Sequence, residues 1–296
     1  MKLIESFENE KAKADYVDKC ERDFELKIDE AAGRLLEYEG LEFVTLSGPT
    51  CSGKTTAAAK LEARFAAAGR RIIAVSVDDF YIDRAKIDPK YKDDFDSIHT
   101  IDLELLEKVT ETLDRDGEAD IPIYDFRTLS RCGYRKISRK ADTVILFEGI
   151  QALYPEVRSL FDKYKKASIY ISVEDSLCDG KIKVEPERIR LIRRLVRDKI
   201  ARNIDVETTL EVWDGVRKNE QSSIIPFKGL CDIKLDSLLG YELSAIRDPL
   251  LKAISEMRGT AHAGLVSELM ELMLDLEPIS DALVPNDSLF REFIGH

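Results

Sequence analysis

The sequence predicts an α/β protein, a three-layer α/β/α arrangement around a mainly parallel, doubly wound sheet with helices added at both ends. Three observations carry this expectation. Apolar runs of strand length alternate along the chain with amphipathic runs of helix length, the pattern left by the crossover connections of a parallel sheet. The run Leu41-Glu42-Phe43-Val44-Thr45-Leu46 leads into Gly48-Pro49-Thr50-Cys51-Ser52-Gly53-Lys54-Thr55 and then into an alanine-rich helical segment, Thr56 to Ala68. No internal repeat, low-complexity tract or Pro/Gly-rich linker divides the 296 residues, of which 44% are apolar, enough to bury a substantial core.

The stretch Gly48–Thr55 has the spacing G-x-x-x-x-G-K-[ST]. Its glycines let backbone N–H groups turn inward around an anion, and the following helix presents its positive end at the same place. Lys54 would reach the terminal phosphates, and the Thr55 hydroxyl would ligate Mg²⁺. The expectation is a purine nucleoside triphosphate site in a phosphate-loop (P-loop) NTPase-type fold, with Gly48, Ser52, Gly53, Lys54, Thr55 and Thr56 as its nucleotide-binding residues.

Composition narrows the class. With 57 acidic and 45 basic residues the formal charge is −12, which argues against general binding to nucleic acid or to anionic membranes. Five scattered cysteines, Cys20, Cys51, Cys132, Cys178 and Cys231, lack any C-x-x-C pairing, so neither a disulfide framework nor a zinc site is expected. No apolar run approaches membrane-spanning length, and a soluble, cytoplasmic protein is expected. Whether it forms a homo-oligomer is left open by the sequence.

Residues 1–40 read as one or two amphipathic helices ending at Gly40. Arg71 to Val77 is a second buried strand running straight into Asp78-Asp79-Phe80-Tyr81. In an open α/β sheet ligands sit beyond the carboxyl ends of the strands, so these carboxylates face the site. Neighbours on an alternating strand point opposite ways, so one of Asp78 and Asp79 faces the crevice; the pattern does not say which. Asp83 to Thr100 reads as a loop over a pocket, and Asp102 opens a helix through about Arg115. Ile121 to Phe126 is a short strand, followed by Arg131, Arg135, Lys136, Arg139 and Lys140, either a solvated hairpin or a receiver of an anionic ligand.

Thr143 to Gly149 is the clearest buried strand and ends in Glu148, an acid placed to hold Mg²⁺ or its water shell. Ala167 to Val173 is a further strand. In the helix from about Glu185 to Ala201, Ile189, Ile192, Val196 and Ile200 form a core face. Arg190, Arg193, Arg194 and Arg197 share another, suited to triphosphate and transition-state charge or, with Glu185, Glu187 and Asp198, to a salt-bridged surface. Val206 to Lys218 reads as helix, Cys231 to Leu235 as a last strand, and Tyr241 to Met257 and Leu265 to Leu276 as terminal helices.

An Asn-Lys-x-Asp guanine motif and a Leu-Ser-Gly-Gly transporter signature are absent. An acid-aromatic cluster after the second strand with an arginine helix late in the chain is the layout of a kinase acting on a small hydroxyl acceptor. At these residues the chain resembles the uridine kinase and phosphoribulokinase family. The resemblance rests on Gly48–Thr55, on Ser76-Val77-Asp78-Asp79-Phe80-Tyr81 for S-x-D-x-F-Y, and on Phe95-Asp96 with Asp102-Leu103-Glu104-Leu105-Leu106. It continues through Tyr124-Asp125-Phe126 with Thr128 and Arg131, Phe147-Glu148-Gly149-Ile150, and Arg193-Arg194-Leu195-Val196-Arg197-Asp198 for the lid motif R-R-x-x-R-D. It spans roughly residues 41–250.

The resemblance implies an ATP- or GTP-dependent, Mg²⁺-requiring phosphotransferase to a hydroxyl of a small-molecule acceptor. Asp78 would be the general base, with Lys54, Arg193 and Arg197 completing the catalytic set and Arg194 on the donor. Tyr81, Phe95, Tyr124 and Phe126 would wall the acceptor pocket, with Arg131 on the acceptor side and Thr55 and Glu148 serving the metal. The implied organisation is an N-terminal helical extension over 1–40, a kinase core over 41–240 with a lid around 185–205, and a helical region over 241–296 packed on the core. Leu129 stands where uridine kinases of this pattern place a histidine, and Ile204 where they place an arginine. A nucleoside kinase is therefore accompanied by two rivals: a phosphoribulokinase-like or other sugar kinase, and an ATP-binding regulatory protein without transfer activity. Cys51, beside Lys54 and a helix N-terminus, is a candidate for redox sensitivity.

Overall fold

Alternation along two central strands builds the layers. In β1 (Phe43–Ser47) Val44 and Leu46 enter one apolar cluster while Phe43 enters another. In β5 (Thr143–Glu148) Val144 and Leu146 join the first cluster, Ile145 and Phe147 the second. Successive strand side chains point to opposite faces, so both faces of this sheet are covered. The computed structural model describes residues 2–3, 6–91, 96–140, 142–178, 183–257 and 261–295. Before β1 comes α1 (Glu10–Glu37), and after it α2 (Lys54–Ala67), β2 (Arg71–Ser76), α3 (Leu103–Asp116) and a hairpin of β3 (Glu118–Asp125) and β4 (Ser130–Ser138). Beyond β5 lie α4 (Pro155–Ser159), β6 (Lys166–Ser172), α5 (Pro186–Arg202), α6 (Val206–Ser223), β7 (Ile233–Asp236), α7 (Glu242–Ser255), α8 (Ala263–Asp275) and the short α9 (Arg291–Ile294).

The central sheet has the order β7-β6-β1-β5-β2, every pair parallel. The expected three-layer α/β/α class is what forms. Register aligns Leu46 with Glu148 and Glu148 with Ser76, so the strand ends that precede the glycine loop, Asp78 and Gly149 share one edge. That edge is where open α/β sheets bind ligands. The basic run after Phe126 is strand β4, antiparallel to β3 with a register shift at Ile123/Tyr124, in a two-stranded sheet of its own.

The N-terminal segment is one 28-residue helix, not two, capped by the Asn9 side chain, which accepts from Ala12 N–H at 3.0 Å. Val17, Phe24, Ile28, Ala31, Ala32 and Leu35 of α1 are buried in the same cluster as Leu61 and Phe65 of α2 and Leu250 of α7. Among the described residues no helix is long and apolar enough to cross a membrane. Among the described residues no cysteine is joined to another by a disulfide.

Candidate active site

The loop after β1 owes its shape to two positions that admit no side chain. A Cβ on Gly48 would lie 1.9 Å from the Ile171 carbonyl oxygen, and Gly53 adopts φ +85° with Leu289 Cδ1 only 2.3 Å from where its Cβ would be. Cys51 between them is buried at φ 57°. Gly53 caps α2 without a side-chain hydrogen bond, so Lys54, Thr55 and Thr56 form a first turn whose N–H groups lack intrahelical acceptors. That turn is an anion site by geometry and by dipole. The Lys54 ammonium donates to the carbonyls of Gly48, at 2.9 Å, and Pro49, at 3.1 Å. The Ser52 hydroxyl is fully buried with no hydrogen-bond partner among the described residues.

Beside the loop, Asp78 and Asp79 follow β2 in a short 3₁₀ turn begun by the Ser76 hydroxyl, which accepts from Asp78 N–H. They point apart. Asp79 Oδ1 accepts from Tyr124 N–H at 3.4 Å and its Oδ2 from Arg135 at 3.3 Å, so it anchors the hairpin. Asp78 lies in the field of Glu148 and Lys54. Burial, reinforced by the charges of Glu148, Asp96 and Asp79 and opposed by Lys54, pushes its carboxyl up to about 7. Burial likewise raises Glu148, against the pull of Lys54. A cation would relieve two crowded carboxylates at the mouth of a phosphate loop, and hard oxygen donors few in number suit Mg²⁺, which takes most of its ligands from water and phosphate. Among the described residues no three or more His, Cys, Asp or Glu side chains group tightly enough to hold an ion by themselves.

Facing this edge is an aromatic wall. Tyr81 lies 5.4 Å from Tyr124 and 5.8 Å from Phe126, and those two rings are 5.2 Å apart. Only Phe126, 55% exposed, opens to solvent. The Tyr81 hydroxyl accepts from Gln151 Nε2 at 3.0 Å, whereas the Tyr124 hydroxyl is buried with no partner among the described residues. Arg131 Nη2 donates to Asp102 Oδ2 at 2.9 Å and to the Phe80 carbonyl at 3.2 Å, and its buried Nε has no partner among the described residues. Phe95 lies outside the described residues. Leu129 adopts φ 54° in the hairpin turn, its carbonyl accepting from Arg84 N–H at 3.0 Å.

The arginines of α5 divide by depth, and the shared lid role expected of them does not fit Arg193. Its guanidinium is wholly buried, paired with Glu242 at 2.5 and 3.0 Å, donating to Cys51 O at 3.1 Å and to Ser237 O at 2.8 Å, and seated over Phe293. Arg190 is also buried, donating to Glu220 at 2.6 and 2.7 Å and to Thr50 O at 3.1 Å. These two hold the backbone of the loop from behind. Arg194 and Arg197 converge on Asp198, at 3.2 and 2.7 Å, and Arg197 lies within electrostatic reach of Cys51. Ile204 contributes only its N–H, to Asp198 O at 2.9 Å.

Glu220, the pairing of Glu242 with Arg193, and the segment carrying Leu289 and Glu292 escaped sequence reading. Nothing in their local pattern marks them, because their partners lie far away in the chain. Thr56 Oγ1 donates to Glu292 Oε2 at 3.2 Å across 236 residues.

Residues 43–240 match the sequence profile described as the Phosphoribulokinase / Uridine kinase family. The chain is 32% identical over 192 residues to uridine-cytidine kinase A of Dictyostelium discoideum, covering 64% of this chain and 35% of that one. It is 28% identical over 194 residues to the uridine kinase of Clostridium novyi (strain NT), covering 64% and 84%. The chain thus spans about a third of the Dictyostelium relative's length. In fold it is similar to a putative fructose transport system kinase from Silicibacter sp. TM1040, with TM-score 0.51 and 19% identity over 70% of this chain and 98% of that one.

Proposed function

Because the chain belongs to the phosphoribulokinase/uridine kinase family, we propose that it is a Mg²⁺-dependent phosphotransferase moving the γ-phosphoryl group of ATP, or GTP, to a hydroxyl of a nucleoside. The observation that carries the proposal is the divergence of two adjacent acids: Asp79 is consumed by the hairpin, and Asp78 is left at the loop mouth with a carboxyl poised near 7. A base of that strength is half ionised at neutral pH and strong enough to take a proton from a hydroxyl as it attacks phosphorus. The acceptor would approach along the wall of Tyr81, Tyr124 and Phe126, where the unpartnered Tyr124 hydroxyl and Arg131 Nε offer polar contacts.

On the donor side, the N–H groups at the start of α2, the Lys54 ammonium and the Thr56 hydroxyl would hold the triphosphate, with Arg194 and Arg197 closing over it. Bound Mg²⁺ would neutralise phosphate charge, held by Thr55 Oγ1 and Glu148 directly or through water. Arg190 and Arg193 would act at a remove, by fixing the loop carbonyls.

Leu129 supports a second reading within the class. Its apolar side chain offers no hydrogen bond to a pyrimidine edge, and the basic run that follows it, Arg131 to Lys140, suits an anionic sugar. Acceptor-dependent ADP release across nucleosides and sugars separates the readings. Turnover with uridine or cytidine supports the first, and turnover only with a sugar or sugar phosphate replaces it with the second. ATP binding with no acceptor-dependent turnover would leave a regulatory ATP-binding protein. With the active acceptor, Asp78→Asn should lower kcat about 10²-fold or more; a loss of only a few-fold would remove Asp78 as the base.

A further inference from the structure

We infer that the C-terminal segment is a built-in competitor for the donor's phosphates, with the Glu292 carboxylate as the competing anion. The inference rests on the phosphate-loop reading above and extends it to residues beyond the family match over 43–240.

The segment is firmly seated. Arg291 donates to the carbonyls of Asp281 at 2.9 Å, Val284 at 2.5 Å and Pro285 at 3.3 Å, closing the turn that precedes α9. Phe293 lies beneath the Arg193 guanidinium at 4.7 Å, and Phe290 meets Tyr241 edge-on at 5.7 Å. Leu289 fills the space a side chain at Gly53 would need. These contacts deliver Glu292 to the third residue of α2, where its Oε2 accepts from Thr56 Oγ1 at 3.2 Å.

That position is the one a phosphate of the donor would take. The first-turn N–H groups of α2 and the positive end of its dipole draw any anion, and a carboxylate and a phosphate compete for the same hydroxyl and the same field. Two further observations mark the loop as able to take a ligand. The buried Ser52 hydroxyl has no partner among the described residues, and Lys54 is turned onto the loop carbonyls of Gly48 and Pro49. Glu292 also lies within electrostatic reach of Glu148 and Arg197, so its charge bears on the metal side and the lid side of the same site. Displacing its carboxylate would be the first event of donor binding, and α9 would move with it or the side chain would swing aside.

Equilibrium binding of ATP with Mg²⁺ to the full-length protein, measured by calorimetry, tests this. Glu292→Gln keeps the shape and removes the charge; Glu292→Ala removes both and guards against a new amide contact. Both should bind ATP about ten-fold more tightly than the unaltered protein, the size expected for one partly buried charge at a helix end, with adenosine affinity unchanged because it carries no phosphate. Lys54→Ala serves as the loop control. If the unaltered protein binds ATP and both Glu292 variants bind it equally or more weakly, the acid is no competitor and the inference fails while the donor site stands. If neither the unaltered protein nor either Glu292 variant binds ATP or GTP, the donor-site reading falls and the inference with it.

Discussion

Burial of the Asp78 carboxylate acts on activity and on stability in opposite directions. Its folded value near 7 stands above the ordinary 3.8, so the carboxyl is protonated below neutrality and the base role proposed for it would be idle there. kcat/KM should therefore rise with pH through about 7 and level off above it, the profile of a single essential base in the free enzyme. The linkage has the reverse sense. A carboxylate whose folded value is raised contributes stability that is complete below its unfolded value and disappears as pH climbs through about 7. At pH 8 the ionised Asp78 strains the fold, and Asp78→Asn, which cannot ionise, should raise the melting temperature there by about 3 °C or more while leaving it near unchanged at pH 4. A variant that loses turnover and melts lower at pH 8 would show that the carboxylate supports the fold instead. Asp79 is the contrasting neighbour, one residue away and bonded to Tyr124 N–H and Arg135. Sequence reading could say that one of the pair faces the site, because alternation is local; only the hairpin, which brings Arg135 back across 56 residues, decides which.

Helix α5 shows how one element can carry two sets of arginine contacts on one stripe. Arg190 and Arg193, three apart, face the back of the phosphate loop, while Arg194 and Arg197 gather around Asp198 at its side. Arg193→Ala would leave Glu242 buried without its counter-charge and should cost about 3–5 kcal/mol of stability, read as a fall in the denaturation midpoint. Arg193→Lys should recover only part of it, since an ammonium cannot serve Glu242, Cys51 O and Ser237 O from one plane. A drop in kcat with an unmoved midpoint would instead return Arg193 to the lid. The spacing of these arginines was legible because helical period is printed in the sequence. Their division was not, since Glu220 and Glu242 sit 30 and 49 residues away on α6 and α7. For the basic run after Phe126 the hairpin was one of two open readings, and strand β4 paired with β3 is what forms.

Across the whole molecule, the layers and the loop-bearing edge followed from alternation and glycine spacing, whereas the return of the C-terminal residues to the loop has no local pattern behind it. That return ties distant parts together. Tyr241, the N-cap residue of α7, and Ser288 both donate to the Glu21 carboxylate of α1, Ser288 at 2.6 Å, and α1 shares one apolar cluster with α2, α5 and α7. We therefore expect α1, the central sheet and the C-terminal helices to unfold together. Tyr241→Phe should lower the unfolding free energy by about 2 kcal/mol, one hydrogen bond to a buried charge, with the fluorescence of the sole tryptophan, Trp213, and the far-ultraviolet circular dichroism still coincident. Separate transitions would mean that the N-terminal helix folds on its own. A last consequence follows from the two guanidinium groups clasped behind the loop. Fixing the backbone of a free residue costs about 1–2 kcal/mol of conformational entropy, yet Thr50 and Cys51 have already lost that freedom to Arg190 and Arg193. The triphosphate proposed for this loop would meet a receptacle frozen in advance, held by acids on α6 and α7, so changes at Glu220 or Glu242 would be felt as a loss of binding by a ligand that touches neither.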